Sequence, residues 1–553
     1  MLCLTLAKRT LTLWAVGMTL GVICAPDLIA EVRVVKTQQV GVEDEQAAEQ
    51  EGFELRRSRR WIEAIEFYEK SLKTWPKNEK LSNGLRQAKI HFAIERRYAD
   101  KSFVETMLPL SRNEAMVYLN DVLEKVGRFY VENIDAKHFV AHGTESLYFG
   151  LNNQKFLDRN LPYGESAKIE DFRKKVLYGK YWNKIIRDAD EGRRIVLEIC
   201  NLAQQELNLA PSAVIMEFVF GGCNSLDDYS SYLTPGKLGD LYNNIDGEFV
   251  GIGIEMKAES GKGLLLVNVL PESPASEGGA VSGDLIVAID GRDCRKLSTE
   301  EAAALLQGQP NSRVRITIAD PGTGDERTAN LIRRAVKVKS IQDVQIIDPA
   351  NKIGYIRMTG FQKNTVQELD DAMAKLKRDG MQALIWDVRG NPGGLLPAAV
   401  DVLDRFLSQG VLVSTRGRVS DQNTIYSAHA DANDWSGPLV LLVDGDSASA
   451  SEIVAGAVRD HHRGTIVGRK TYGKWSVQSI LPGHADSGFR LTTAKFYSPN
   501  GGNYSKKGIE PDVKVADDSD PAVSHRGRRR GRLQDDRDVE TGLETLRKQL
   551  ARR

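Results

Sequence analysis

Ser447-Ala448-Ser449-Ala450-Ser451-Glu452, followed by Lys474 and Gln478, brings hydroxyls, an amine and an amide into one short stretch of chain. A serine is a nucleophile once a base takes its proton. A lysine can be that base only where its charged form is made costly, in a water-poor pocket. Ala450, Ile453, Val454, Ala457 and Val458 recur at helical spacing and mark the buried face of a helix. That helix follows the all-apolar run 439–443, written as a strand buried on both faces. Ser449 falls in its first turn. There the unpaired N–H groups and the positive end of the helix dipole favour an alkoxide and the oxyanion it generates. Alone, the same residues also suit a helix cap and tight Ala-Ser packing.

Two further segments argue for chemistry. Arg389-Gly390-Asn391-Pro392-Gly393-Gly394 stands directly after the strand 383–388 and before a helix. Active sites of open parallel sheets lie beyond the carboxyl ends of their strands. Gly393 and Gly394 expose backbone N–H groups there without side-chain obstruction, and one of them, with the N–H of Ala450, makes an oxyanion hole. The second segment, Thr471 to Gln478, supplies Lys474 and, four residues on, an amide able to orient an amine.

These segments need a frame. From about 340 to 515, strands such as 353–358 and 383–388 alternate with helices such as 364–377, which predicts right-handed βαβ units around a mainly parallel sheet. From about 246 to 336 the chain is β-rich. The glycine turn Gly251-Ile252-Gly253-Ile254 leads into a strand, 264–269 is another, and Pro271 to Ala275 turns into a short helix. Residues 283–291 give a strand and tight turn, 299–307 a helix with Ser298 as its cap, and 314–318 a closing strand. Residues 100–225 are helical by apolar periodicity. His138 and His142 within them have a metal-binding spacing but no third ligand nearby, and are read as a packed or solvated pair. Further upstream, Gly52, Ala64, Tyr68 and Pro76 fall at the spacing of one tetratricopeptide repeat. A single such unit must lean on the next helix, about 81–100, or on a partner chain.

Composition narrows the classes. The 553 residues hold 41% apolar residues, enough for real cores, and 75 basic against 75 acidic residues, so no global field draws nucleic acid. Lys8 and Arg9 precede the apolar run 11–25, an export signal with cleavage expected after Ala25 or Ala30. The run is short for a membrane span, and membrane contact is expected only if it stays uncleaved. Cys200, Cys223 and Cys294 then remain, odd in number and far apart, with no disulfide framework or zinc spacing. The basic run 525–532 reads as a solvated tail, followed by an amphipathic helix from about Val539 to Leu550.

The order of elements in 246–336, with its S-P-A, G-D-L-I and I-D-G motifs, resembles a PDZ domain. The resemblance implies that a peptide adds as an extra strand and that its carboxylate is held by backbone N–H groups, here at Gly251, Ile252, Gly253 and Ile254. The full set, from Asp227-Asp228-Tyr229-Ser230-Ser231-Tyr232-Leu233 through R-G-N-P-G-G-L-L, S-A-S-A-S-E-I-V-A-G-A and G-R-K-T-Y-G-K to about Val515, resembles the carboxyl-terminal processing peptidases, the tail-specific proteases. Carried onto this chain, that family's nucleophile is Ser449, its general base Lys474 and its orienting glutamine Gln478. Its backbone donors are Ala450 and the pair Gly393 and Gly394, on a crotonase-like core. Trp475 stands where the family usually has glycine, and Gln307 where it often has arginine. The tetratricopeptide-like hairpin and much of 150–225 are additions.

The expected architecture is multidomain, α/β and α+β. A signal peptide (1–30) and linker (31–46) precede a tetratricopeptide-like hairpin (47–100), a helical domain (101–240), a PDZ domain (241–336), a serine protease core (337–515) and a basic polar tail with a helix (516–553). The expected function is an exported serine endopeptidase of the periplasm or cell envelope. It cleaves polypeptides selected by their exposed C-terminal tails, through a Ser-Lys mechanism and an acyl-enzyme, without metal or cofactor. An adaptor, or self-association, is expected to use the helical N-terminal region. The alternative is a periplasmic scaffold that binds C-terminal peptides through its PDZ and repeat modules and never cuts.

Overall fold

A computed structural model describes residues 44–516, except 260, 296, 298, 309, 432 and 433, together with 533 and 536–552. The export signal, most of the linker, the Ser298 cap and the basic run 525–532 lie outside the described residues.

The helical region runs α1 (Glu45–Arg57), α2 (Trp61–Thr74), α3 (Glu79–Ala99), α4 (Arg112–Phe129), α5 (Ala136–Gly150), α6 (Gln154–Asn160), α7 (Ser166–Asp171), α8 (Ala189–Leu207) and α9 (Pro211–Gly222). The repeat-like spacing has a concrete cause. A Cβ on Gly52 of α1 would lie 2.3 Å from the Tyr68 ring, and one on Gly84 of α3 2.4 Å from it. Tyr68 of α2 is therefore gripped by bare backbone on both sides, and the hairpin leans on α3. Helices α5 and α9 approach as closely, with Gly143 against Phe218 and Gly222 against Phe139. Between them the buried Arg97–Glu217 pair is completed by Ser146 Oγ, which donates to Glu217 Oε2 at 2.7 Å. His142 faces Arg86 at 3.4 Å and Glu145 at 3.7 Å, and burial, then Arg86, pushes it down to about 3. It packs against a cation, as a packed member of the His138/His142 pair would.

β1 (Ser231–Leu233) and α10 (Pro235–Asp246) lead to β2 (Glu248–Gly251), β3 (Ile254–Glu259), β4 (Gly263–Val269), α11 (Pro274–Glu277), β5 (Leu285–Ile289), β6 (Arg292–Asp293), α12 (Thr299–Leu306), β7 (Arg313–Ala319), β8 (Glu326–Ile332) and β9 (Arg334–Lys337). The sheet order is β3-β4-β5-β7-β8, with β6 on β5, so β3 is an edge. Gly253 has φ +78°, and a Cβ there would meet Ser273 at 2.2 Å, so the turn into β3 requires glycine.

The third unit comprises β10 (Ile341–Asp348), β11 (Ile353–Met358), α13 (Thr365–Arg378), β12 (Ala383–Asp387), α14 (Leu396–Leu403), β13 (Val411–Gly417), β14 (Thr424–Ser427), β15 (Leu439–Val443), α15 (Ala450–Asp460), β16 (Thr465–Gly468), β17 (Ser476–Pro482), β18 (Gly488–Tyr497) and β19 (Val513–Lys514). Six strands in the order β10-β11-β12-β15-β16-β19 form a sheet that is parallel except at β10–β11. All five residues of β12 and of β15 are buried. The expectation of a mainly parallel sheet holds for this sheet and not for the rest of the core. β1, β18, β13, β14 and β17 form a second, antiparallel sheet. β17 and β18 are joined by a short turn, which only antiparallel neighbours allow.

Helices α13, α14 and α15 cover one face of the parallel sheet. The other is covered by α16 (Arg537–Leu550), whose Val539, Leu543 and Leu546 lie against Ile385, Val440, Leu442 and Val467. This helix belongs to the core and is not part of a solvated tail, because its apolar stripe packs on that face of the sheet. Among the described residues, no helix is long and apolar enough to cross a membrane.

The hairpin carries a pH-sensitive contact. His91 of α3 stacks on Trp61 at 4.7 Å, and burial, followed by Arg56, lowers it to about 4. Between the ordinary value of 6.5 and about 4, the unfolded chain takes up a proton that the folded one refuses. Stability present above pH 6.5 is therefore lost on acidification, up to about 3 kcal/mol. We expect the urea midpoint of residues 44–99, followed by limited proteolysis, to fall across that window and to fall less in His91→Phe.

Candidate active site

Three serines precede or open α15, and their surroundings separate them. Ser447 and Ser451 are fully buried and spend their hydroxyls on backbone carbonyls, of Val388 at 2.8 Å and of Asn391 at 2.9 Å. Ser449 alone is half-buried, with φ +55° and ψ −112°. A non-glycine residue there costs about 1–3 kcal/mol and persists only where its surroundings hold it. The turn lifts its Cβ off the end of β15 at the first turn of α15.

The glycine loop closes over that turn. A Cβ on Gly393, whose φ is +106°, would lie 2.8 Å from Ser449 Cβ and 2.9 Å from the Ala450 nitrogen. Glycine is required for this approach. Asn391, fully buried, knits the two loops: its carbonyl accepts from Ala448 N–H at 3.1 Å and from Ser451, and its Nδ2 donates to the Met358 carbonyl at 2.9 Å. Its Oδ1 accepts the N–H of Gly393 at 2.9 Å. Phe361 N–H bonds the Gly393 carbonyl and Leu395 N–H the Phe361 carbonyl, a bridge that leaves the Gly394 N–H directed elsewhere. Within the glycine pair, Gly394 thus has the less committed donor, beside that of Ala450 at the helix start.

Lys474 is 3% exposed. It is brought to Ser449 by Glu452, a residue that the sequence reading passed over. Glu452 Oε2 accepts the N–H of Ser449 at 3.1 Å and of Lys474 at 2.7 Å. Its Oε1 accepts the N–H of Gly473 and the hydroxyl of Thr471, each at 2.7 Å. Two backbone nitrogens sharing one oxygen at hydrogen-bond distance lie within about 6 Å of each other. Burial pushes Glu452 above the usual carboxylate range, and the four donors oppose it. The S-x-x-E spacing of a capping box was the available signal.

The Lys474 Nζ lies over the Tyr229 ring, 4.8 Å from its centre. Burial, then the hydroxyl of Tyr472, raises Tyr229 well above the ordinary phenol value, so its ring faces the amine as a neutral π surface. Tyr229 reaches the site because the strand that follows it, β1, pairs with β18. Gln478, on β17, donates from Nε2 to Ser476 Oγ at 2.9 Å and Thr492 Oγ1 at 3.2 Å. Those bonds fix the amide across β17 and β18 and leave Oε1 as the end able to accept from an amine. Trp475 is 1% exposed and packs on Phe496 and Tyr504, with Gly456 of α15 beneath it. It wedges the lysine loop against the helix and does not line the cleft.

The PDZ-like residues form a separate group. Gly251, Ile252 and Gly253 are buried and Ile254 half-buried, with the Ile252 and Gly253 carbonyls accepting from Ala275 and Leu270. At position 307 the sequence has glutamine, and Arg333 bonds the carbonyls of Leu305 and Leu306 at the end of α12.

Comparison with known proteins identifies the family of the second and third units. The model of peptidase family S41 matches residues 352–515, and that of the PDZ domain residues 266–320. A carboxy-terminal-processing protease of Bartonella bacilliformis is 37% identical over 297 residues, 53% of this chain and 67% of the relative. A carboxyl-terminal-processing protease of Synechocystis sp. is 36% identical over 295 residues, 53% of this chain and 68% of the relative. Among solved structures, a photosystem II D1 C-terminal processing protease shares 26% identity, covering 73% of this chain and 92% of its own, with a TM-score of 0.38. The chain therefore belongs to the carboxyl-terminal-processing proteases of peptidase family S41, and is a serine peptidase with a PDZ domain.

Proposed function

We propose that Ser449 and Lys474 are the reacting pair of a C-terminal processing endopeptidase that acts on exported polypeptides. Uncharged Lys474 takes the Ser449 proton, and Oγ attacks the scissile carbonyl. The N–H of Ala450 and one N–H of the Gly393–Gly394 pair hold the oxyanion. Lys474 then protonates the leaving amine and activates the water that releases the acyl group. Gln478 and the Tyr229 ring hold the amine in place. The observation that carries this reading is the Glu452 carboxylate, which anchors the backbones of both residues.

Substrate choice follows from the second domain. Among the described strands β3 ends its sheet, beside α12, and a peptide tail laid along it gains main-chain hydrogen bonds. The Gly251–Ile254 turn offers N–H groups to the terminal carboxylate. Its burial implies that the turn opens when a tail binds. An adaptor or a second copy would use the helical region, and the substrates meet the enzyme in the periplasm or cell envelope.

Three outcomes test the reading. Ser449→Ala should abolish the appearance of new termini in an unstructured polypeptide while tail binding survives; a variant that still cuts places the nucleophile elsewhere. Lys474→Ala should lower kcat/KM to the level of the Ser449→Ala variant while tail binding survives; a folded variant that cleaves like the wild type excludes a lysine base. Glu452→Gln turns one acceptor oxygen into a donor facing two N–H groups, or an N–H and the Thr471 hydroxyl. We expect it to lower kcat on the order of 100-fold by misplacing the pair, and to cost about 1–3 kcal/mol for each donor left unmet, read from thermal unfolding.

A further inference from the structure

We propose that α16, through Asp538 and Asp536, is a positioning part of the active site; the assignment rests on the reading of Ser449 and Lys474 given above. The helix lies beyond the residues matched by the peptidase family model, yet its first turn reaches under both loops that carry the chemistry.

Arg389 opens the glycine loop. Its Nε and Nη2 bond Asp387 at 2.7–3.1 Å, and its Nη1 bonds Asp536 at 2.9 and 3.0 Å and Asp538 at 2.7 Å. Arg469 leads out of β16 toward Lys474, and its two terminal nitrogens grip the two oxygens of Asp538 at 2.9 Å each. Asp538 is 1% exposed, so its charge is fully committed to these guanidinium groups. The effect of the two aspartates on the backbone is direct. Gly390, next to Arg389, donates its N–H to Asp444, which also accepts the N–H of Ser447 in the nucleophile turn. Arg469 N–H bonds the Val443 carbonyl, and the residues after it bond Glu452. Glu452 thus ties the nucleophile turn to the lysine loop from above, and Asp538 ties the glycine loop to the lysine loop from below. Loosening Asp538 frees Arg389 to tilt the Gly390–Gly394 backbone, and with it the oxyanion donors, without touching the PDZ edge that binds the tail.

The test uses the full-length chain cleaving an unstructured polypeptide, with Ser449→Ala as the blank. Asp538→Asn is expected to lower kcat about tenfold or more while KM stays within about twofold, because the donors are misplaced and tail binding is not. Asp536→Asn, which removes a charge facing Arg389 and keeps an oxygen for the helix cap that Asp536 makes with the N–H groups of Asp538 and Val539, is expected to lower kcat about threefold, and Asp536→Glu to restore it. A folded Asp538→Asn with unchanged kcat, or with only KM raised, overturns the proposal. If Asp538→Asn fails to fold, Asp536→Asn decides, and unchanged kcat there overturns it. Ser449→Ala cutting like the wild type would instead sink the Ser449 reading, and the proposal with it.

Discussion

One buried carboxylate sets the geometry of this protein's candidate site. Glu452 is fully enclosed and surrounded by four donors, one from its own turn and three from the lysine loop beyond α15 and β16. An ionised carboxylate in such a place is tolerable only because every oxygen is met. The arrangement is consequently all or nothing. Remove any loop from its place and a charge is left stranded, so the loops hold each other in register through their common need to satisfy it. The strained backbone of Ser449 depends on the same constraint, since its own N–H is one of the four donors.

The remainder of the core serves that register. The parallel sheet delivers the glycine loop and the nucleophile turn at adjacent strand ends, β12 and β15. The antiparallel sheet delivers Tyr229, the lysine loop and Gln478 from the other side. Trp475 wedges the seam. The site therefore forms where two sheets of different construction meet, and neither sheet contains it alone.

Much of this was legible in the sequence. The Ser449 turn, the Gly393–Gly394 pair and the Gly52–Tyr68 spacing are local patterns in which glycine or small residues announce a close backbone approach, and the structure supplies the approaching atoms. The order of the PDZ strands was readable for the same reason. Long-range pairings were not. Nothing local to Glu452 says that its oxygens face Thr471, Gly473 and Lys474, although the capping spacing marks it as unusual. Nothing near Tyr229 predicts a ring under a lysine 245 positions away. Trp475 read only as a departure from the family's glycine, because a lone aromatic after a lysine carries no sign of which side it faces. The helix at 537–550 read as part of a tail because its partners, Ile385 and Val440 among them, lie on strands far upstream, across a polar stretch that hides the connection.

That helix follows every strand it covers. A chain emerging from the ribosome up to β19 has all six strands of that sheet but leaves Ile385, Val440 and Leu442 uncovered, and Arg389 lacks two of its three carboxylates. Domains fold as their sequence becomes complete. The peptidase core is thus finished only after its last structural element has appeared, and a nascent chain with its scissors already translated still lacks the rivet that would let them close.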